Sequence, residues 1–203
     1  VHPIERLRFV AGARGVPGDV LAVEAAQALC TFSDDPAGLT AACRRVLARQ
    51  VTCGPLWWVC ARLLTSESVR DCAWESIQRL QADTTEAEVS LALATKAPDS
   101  PSVLAVQALA FGSDGAFVAE ADAEELDRRA EAEAWLVGGV GVHLAEPLWE
   151  AARAHRHEGG ARTVDVVPLS RFVEVFGPTG AVPTARLGHP DCPSAPELLR
   201  LAG

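Results

Sequence analysis

Through the first 95 residues, apolar positions recur at three- and four-residue spacing, the period of helices with one buried face. Ile4, Leu7, Phe9, Val10 and Ala11 form such a stripe within Pro3–Arg14, and the glycines of Gly12–Gly18 close it with turn chemistry. Asp19 can cap the next helix, which carries Leu21, Ala25, Ala28 and Leu29 toward Thr31. Asp34-Asp35-Pro36 signals a third start, with proline in the first turn of a helix ending near Gln50. Gly54-Pro55 breaks the chain before the nearly all-apolar LWWVCARLL. Glu67–Gln81 and Glu86–Ala94 then complete six helices, the last opened by Asp83-Thr84-Thr85. Short connections of this kind predict a helical subdomain.

The pattern changes at Ala97-Pro98-Asp99-Ser100-Pro101, which reads as a linker. Beyond it the apolar runs have strand length: SVLAVQALA (102–110), GAFVA (115–119), AWLVGGV (134–140), TVDVV (163–167) and FVEVFG (172–177). Charged helical stretches, Asp122–Glu133 and Glu146–His155, separate them. Strands alternating with helices predict a parallel sheet made of βαβ units. The expected fold class is therefore α/β: a helical subdomain (1–96), a linker (97–101), and a small Rossmann-like parallel sheet with an irregular C-terminal tail (102–203). There is no internal repeat.

Composition narrows what such a chain can do. With 49% hydrophobic and 22% charged residues, general disorder is excluded. The formal charge of -9 argues against direct nucleic-acid binding, which needs a basic face. No segment approaches the roughly 18 apolar residues of a membrane span, and VHPIERLRF has no signal-peptide core. Cys30, Cys43, Cys60 and Cys72 fall within apolar helical stretches, and no C-x-x-C occurs, so the six cysteines read as reduced and the chain as cytoplasmic. All basic residues but Lys96 are arginine, and Met and Tyr are absent, an Ala- and Arg-heavy usage typical of GC-rich, actinobacterial-type genomes. Val1 in the place of methionine is read as an alternative start, a processed end or a fragment boundary.

Few residues carry candidate chemistry. In WLVGGVGVHLAEPLWEA, Gly138, Gly139 and Gly141 form a strand-to-helix turn that can admit a phosphate, although no third glycine completes a dinucleotide fingerprint. The bland alternative is a tight βα turn. His143 follows it, placed either to donate a proton or to fill space. His155, His157, His189 and Cys192 are metal-ligand types without the paired spacing of structural zinc sites, and His155-Arg-His157 reads as part of a solvated loop. Cys53 precedes a helix N-terminus, which lowers a thiol pKa, but its apolar neighbours favour an inert thiol. Trp57 and Trp58 suit the core or an interface between subdomains. No G-x-S-x-G, Walker loop or H-E-x-x-H is present.

Several stretches resemble the translation initiation factor 2B alpha/beta/delta-like family, which includes methylthioribose-1-phosphate isomerase and ribose-1,5-bisphosphate isomerase. Val51-Thr52-Cys53-Gly54-Pro55-Leu56 is similar to the R-P-T-x-x-x-L that ends the family's helical domain. ALAFGSDGAFVA (108–119) resembles its strand followed by a D-G turn. AEAWLVGGVG and Asp165-Val-Val-Pro168…Gly177-Pro-Thr-Gly180 look like its later strand and closing motif. The resemblance implies association through the α/β part, as a homodimer or with a related subunit. It implies ligand contacts at Arg49, Thr52, Cys53 and Gly54, beside those of the glycine turn, with a phosphorylated small molecule as the candidate ligand and no cofactor.

The departures point away from catalysis. Gln50 stands where the family's phosphate-binding arginine belongs, with Arg49 one position off, and the family's R-G-A-P phosphate loop has no counterpart in the first 50 residues. The segment carrying the isomerases' cysteine is absent, leaving a shortened chain whose sheet lacks its early strands. Their aspartate falls at Gln107 or Ala108, neither of which shuttles a proton. The expected function is a non-catalytic, initiation-factor-2B-like regulatory or assembly protein. The alternatives are a phosphosugar isomerase or phosphate-ester-binding enzyme using the 138–143 turn, and a plain protein-interaction module.

Overall fold

The computed structural model describes residues 2–97, 102–159 and 163–201, and the side chains of 157–159 are not among those described. Residues 98–101, the body of the expected linker, lie outside the described residues, as does the side chain of His157.

Six helices come first: α1 (Pro3–Gly12), α2 (Gly18–Leu29), α3 (Pro36–Leu47), α4 (Gly54–Thr65), α5 (Val69–Gln81) and α6 (Thr85–Thr95). Their starts are set by local chemistry. Asp35 accepts from the Gly38 N–H with Pro36 at the first helical position, and Ser68 accepts from the Asp71 N–H. Asp19 lies in the first turn of α2 and does not cap it; Pro17 holds the cap position.

Seven strands follow: β1 (Val103–Gln107), β2 (Ala110–Phe111), β3 (Gly115–Ala119), β4 (Glu133–Val137), β5 (Val164–Pro168), β6 (Glu174–Gly177) and β7 (Gly180–Pro183). Helix α7 (Glu120–Arg128) separates β3 from β4, and α8 (Glu146–Gly159) separates β4 from β5. They form two sheets. The first has the order β1-β4-β6-β7, parallel through β1, β4 and β6 and closed by an antiparallel β7. The second, β2-β3-β5, is antiparallel throughout. The expectation of one parallel sheet thus holds for 103–107, 133–137 and 174–177 and fails for 115–119 and 164–168. The tight Ser113-Asp114 turn lets β3 fold back on β2, and β5 then pairs along the free side of β3, Phe117 opposite Val166. His155 and Arg156 also lie on α8, which runs on where a loop is expected.

The largest apolar core runs through both parts of the chain. It joins Leu21, Leu29, Leu47, Leu56, Trp57 and Trp58 of the helices to Phe117, Leu148 and Trp149 of the α/β part. The tail returns to this core through Cys192, Ala195, Leu198 and Leu201, all buried. It is fastened there by the Trp58 Nε1–H donating to the Asp191 carbonyl, the Arg79–Asp191 ion pair, and Arg44 Nε donating to the Glu197 carbonyl at 2.6 Å. A second core under β1, β3 and β4 holds Val106, Phe111, Leu126 and Leu136. Among the described residues, no helix is long and apolar enough to cross a membrane.

Candidate functional site

The helical and α/β parts enclose a cleft of about 1730 Å³. One wall is the loop between α1 and α2 together with residues 48–53; the opposite wall is the end of β1 and the turn after β4. Four of the eight candidate residues line it: Arg49, Thr52, Cys53 and Gly139. Gly54, Gly138, Gly141 and His143 do not line it; Gly54 and Gly141 pack the two parts together, and Gly138 and His143 pack on Phe111.

The rear contacts are close. The Gly54 N–H donates to the Leu109 carbonyl at 2.8 Å, and a side chain at Gly54 would approach that same oxygen to 2.8 Å. Gly141 turns at a φ of 77°, a region that L side chains avoid, and a Cβ there would lie 2.9 Å from Trp58 Cβ. Gly138 packs on Phe111, whose other partner is His143: the two rings stack at 4.4 Å and 14°.

Burial holds the His143 imidazole down to about 4, so the ring is neutral at pH 7. Its folded value lies below the ordinary 6.5, so its contribution to stability is present above pH 6.5 and lost as pH falls toward 4. That loss is on the order of 1–2 kcal/mol after allowing for partial exposure. In a proton NMR titration, the His143 ring should hold its neutral shift down to about pH 5; a midpoint near 6.5 would contradict the packing described.

The glycine turn is already occupied by the protein itself. Asp83, in the turn between α5 and α6, accepts from the Val140 N–H at 2.6 Å and from the Thr85 N–H and hydroxyl at 2.9 and 2.6 Å. A carboxylate therefore holds the donor that a phosphate would seek, and it lies directly against Gly139. Thr84 extends the clasp by donating to the Pro178 carbonyl at 3.3 Å. Neither Asp83 nor its role is evident from the sequence, where it reads only as a helix start.

On the opposite wall the sequence reading needs correction. Arg14-Gly15-Val16-Pro17 differs from the family's R-G-A-P at one residue, and the structure brings it into the cleft beside Arg49. Gly15 makes the turn with a φ of 65°, and α2 starts immediately after Pro17. Gln50 supports this loop: its side-chain amide donates to the Val10 and Ala13 carbonyls, each at 2.9 Å. Gln50 thus ties the two motif segments together. Arg14 and Arg49 are both exposed to the cleft, and neither has a carboxylate at ion-pair distance among the described residues.

Asp19, Asp83, Glu86 and His155 also line the cleft, with Asp83 held by the Val140 and Thr85 N–H groups. Burial raises the Cys53 thiol to about 12, aided by the charge on Asp19 and opposed by the Leu56 N–H. That thiol is 9% exposed and stays protonated at neutral pH, which outweighs its place at a helix start. The β1 end presents Gln107, Ala108 and Leu109. Among the described residues, no group of three His, Cys, Asp or Glu is placed to hold a metal ion.

Solved structures decide the fold. The chain superposes on eIF2B beta from Chaetomium thermophilum with a TM-score of 0.65 and 12% identity, over 90% of this chain and 88% of that one. The fold is that of initiation factor 2B subunits. The Pyrococcus horikoshii translation initiation factor eIF-2B matches with a TM-score of 0.64 and 11% identity, over 89% of this chain and 96% of the other. A chain of the tetrameric eIF2B-beta2-delta2 complex from C. thermophilum matches with a TM-score of 0.64 and 14% identity, over 92% of each. No family model matches the sequence, and no curated protein does. The initiation-factor-2B fold is therefore carried by sequences that share about one residue in eight.

Proposed function

We propose that this chain is a non-catalytic, initiation-factor-2B-like regulatory or assembly protein of the cytoplasm. One observation carries the reading. Among the described residues the cleft keeps Arg14 and Arg49 without an ion-pair partner, and the end of β1 offers Gln107 and Ala108 where the resemblance places the isomerases' aspartate. Assembly is supported by the fold shared with a chain of a tetrameric complex.

A second reading, binding of a phosphate ester without turnover, is favoured by Arg14 and Arg49 opening on one cleft. Planar guanidinium groups match phosphate geometry, and a partly enclosed cleft screens them less than open surface does. The glycine turn is not where this ligand would bind, since Asp83 takes the Val140 N–H. Thermal melting with a panel of sugar phosphates tests it. A shift upward of a few degrees is expected, reduced to nothing in Arg14→Ala/Arg49→Ala and unchanged in Lys96→Gln. A shift that survives the double substitution, or no shift with any phosphate ester, would remove the ligand from the account and leave the assembly role.

A further inference from the structure

Position 50 is where the resemblance places a phosphate-binding arginine, and this chain carries an uncharged amide there. Both N–H bonds of that amide are engaged inside the protein, on the Val10 and Ala13 carbonyls at 2.9 Å each. These two residues are the last turn and the C-terminal cap of α1, where helix carbonyls run out of intrahelical donors. The Gln50 backbone is equally engaged. Its N–H donates to the Val46 and Leu47 carbonyls at the end of α3, at 3.0 and 3.1 Å, and its carbonyl accepts from the Cys53 N–H at 3.1 Å. One residue therefore joins the end of α1, the end of α3 and the turn that carries Thr52 and Cys53 into the cleft.

The loop that leaves Ala13 is Arg14-Gly15-Val16-Pro17, and it is pinned at its far end as well. The Cys53 thiol donates to the Gly18 carbonyl at 3.7 Å, and a methyl group at Gly18 would come within 3.2 Å of that sulfur. Between the two pins the backbone turns on Gly15, at a φ of 65°, and Pro17 fixes its own φ. Arg14 is thus presented from a short loop held at both ends by the segment that follows Arg49. The arginines of the cleft are not alike. Arg8 pairs with Glu5 and Arg156 with Asp165, whereas Arg14 and Arg49 have no such partner among the described residues.

We propose that Gln50 is the positioning residue of the cleft's phosphate-ester site, a role that rests on that reading of the cleft. It does not touch the ligand, because both of its donors are held by α1. It fixes the loop of Arg14 against the segment of Arg49, so that both guanidinium groups are in place before a phosphate arrives. Ordering of a loop and of a long side chain is otherwise a cost of binding, and two hydrogen bonds within the protein remove part of it in advance. An arginine at 50 would bring charge to the ligand. Glutamine brings geometry, and position 50 reaches the phosphate only through Arg14.

Isothermal titration of the full chain with ribose 5-phosphate tests this. Gln50→Met keeps the length of the side chain and removes both donors. It should weaken binding about tenfold, the scale of one hydrogen bond to a charged group, and should speed trypsin cleavage after Arg14. The decisive readout is a double-mutant cycle. On an Arg14→Ala background Gln50→Met should cost nothing further, whereas on an Arg49→Ala background its cost should persist. The same loss on both backgrounds would overturn the positioning role, as would unchanged affinity in folded Gln50→Met; the phosphate-ester reading survives either result. Should methionine prevent folding, Gln50→Asn, an amide one methylene short of both carbonyls, is expected to give the same pattern. A native chain that binds neither ribose 5-phosphate nor inorganic phosphate would overturn the reading of the cleft and the role of Gln50 with it.

Discussion

Gly141→Val is expected to lower the melting temperature by about 8–15 °C. Two costs combine. A β-branched residue at a φ of 77° is forced out of its allowed region, at about 1–2 kcal/mol. Its Cβ would also lie 2.9 Å from Trp58 Cβ and 3.1 Å from Pro55 Cα. Overpacking of that kind costs about 1–3 kcal/mol. Each kcal/mol moves the midpoint of a domain this size by about 2–4 °C. Trp58 cannot give way, because its indole N–H holds the Asp191 carbonyl and Arg62 and Arg79 lie over its ring at 4.9 and 5.1 Å. Thermal unfolding followed by circular dichroism checks this; a drop below about 3 °C would mean that the two parts meet less tightly than described.

The second large effect is expected at Trp149. This residue is fully buried, lies over Gly112 and packs at 4.6 Å against Phe117. Its indole N–H donates to Asp114 at 2.7 Å, which fixes the turn between β2 and β3. Trp149→Ala should cost about 3–5 kcal/mol, and urea unfolding should show it as a lowered midpoint with an unchanged slope. Trp149→Phe should recover part of that, since it refills the cavity without the hydrogen bond. Asp114 adds a pH signature: the Trp149 N–H, then Arg153, hold its carboxyl below the ordinary 3.8. Its contribution is therefore present above pH 3.8 and is lost as pH falls through the lower folded value. In Trp149→Phe that acid-sensitive component should shrink.

Helices were legible because their apolar residues repeat with the helical period and because breaks and start signals such as Asp35-Pro36 mark their ends. The strands were legible one by one, since alternating and apolar runs mark them. Their pairing was not: TVDVV has the composition of a parallel core strand, yet it pairs antiparallel with β3, some fifty residues earlier. Strand β7 follows Gly177-Pro-Thr-Gly180, which read as a motif and is in fact a hairpin turn with Gly180 at a φ of 94°.

The cleft divides in the same way. Arg49, Thr52 and Cys53 were readable from a continuous stretch. Arg14-Gly15-Val16-Pro17 was in plain view but was taken as turn chemistry ending a helix. Asp83 could not have been found, because only folding brings it to Val140, 57 positions away. The absence of a proton-shuttling side chain at 107 and 108 was readable directly, and the structure adds that both positions face the cleft.

We propose that this cleft does no chemistry on a sugar phosphate. The direct test is proton and phosphorus NMR of ribose-1,5-bisphosphate and methylthioribose-1-phosphate incubated with the purified chain. The account predicts spectra that stay those of the starting aldoses at every time point. Conversion to the ketose, abolished by Arg49→Ala or Cys53→Ser in variants that remain folded, would contradict it.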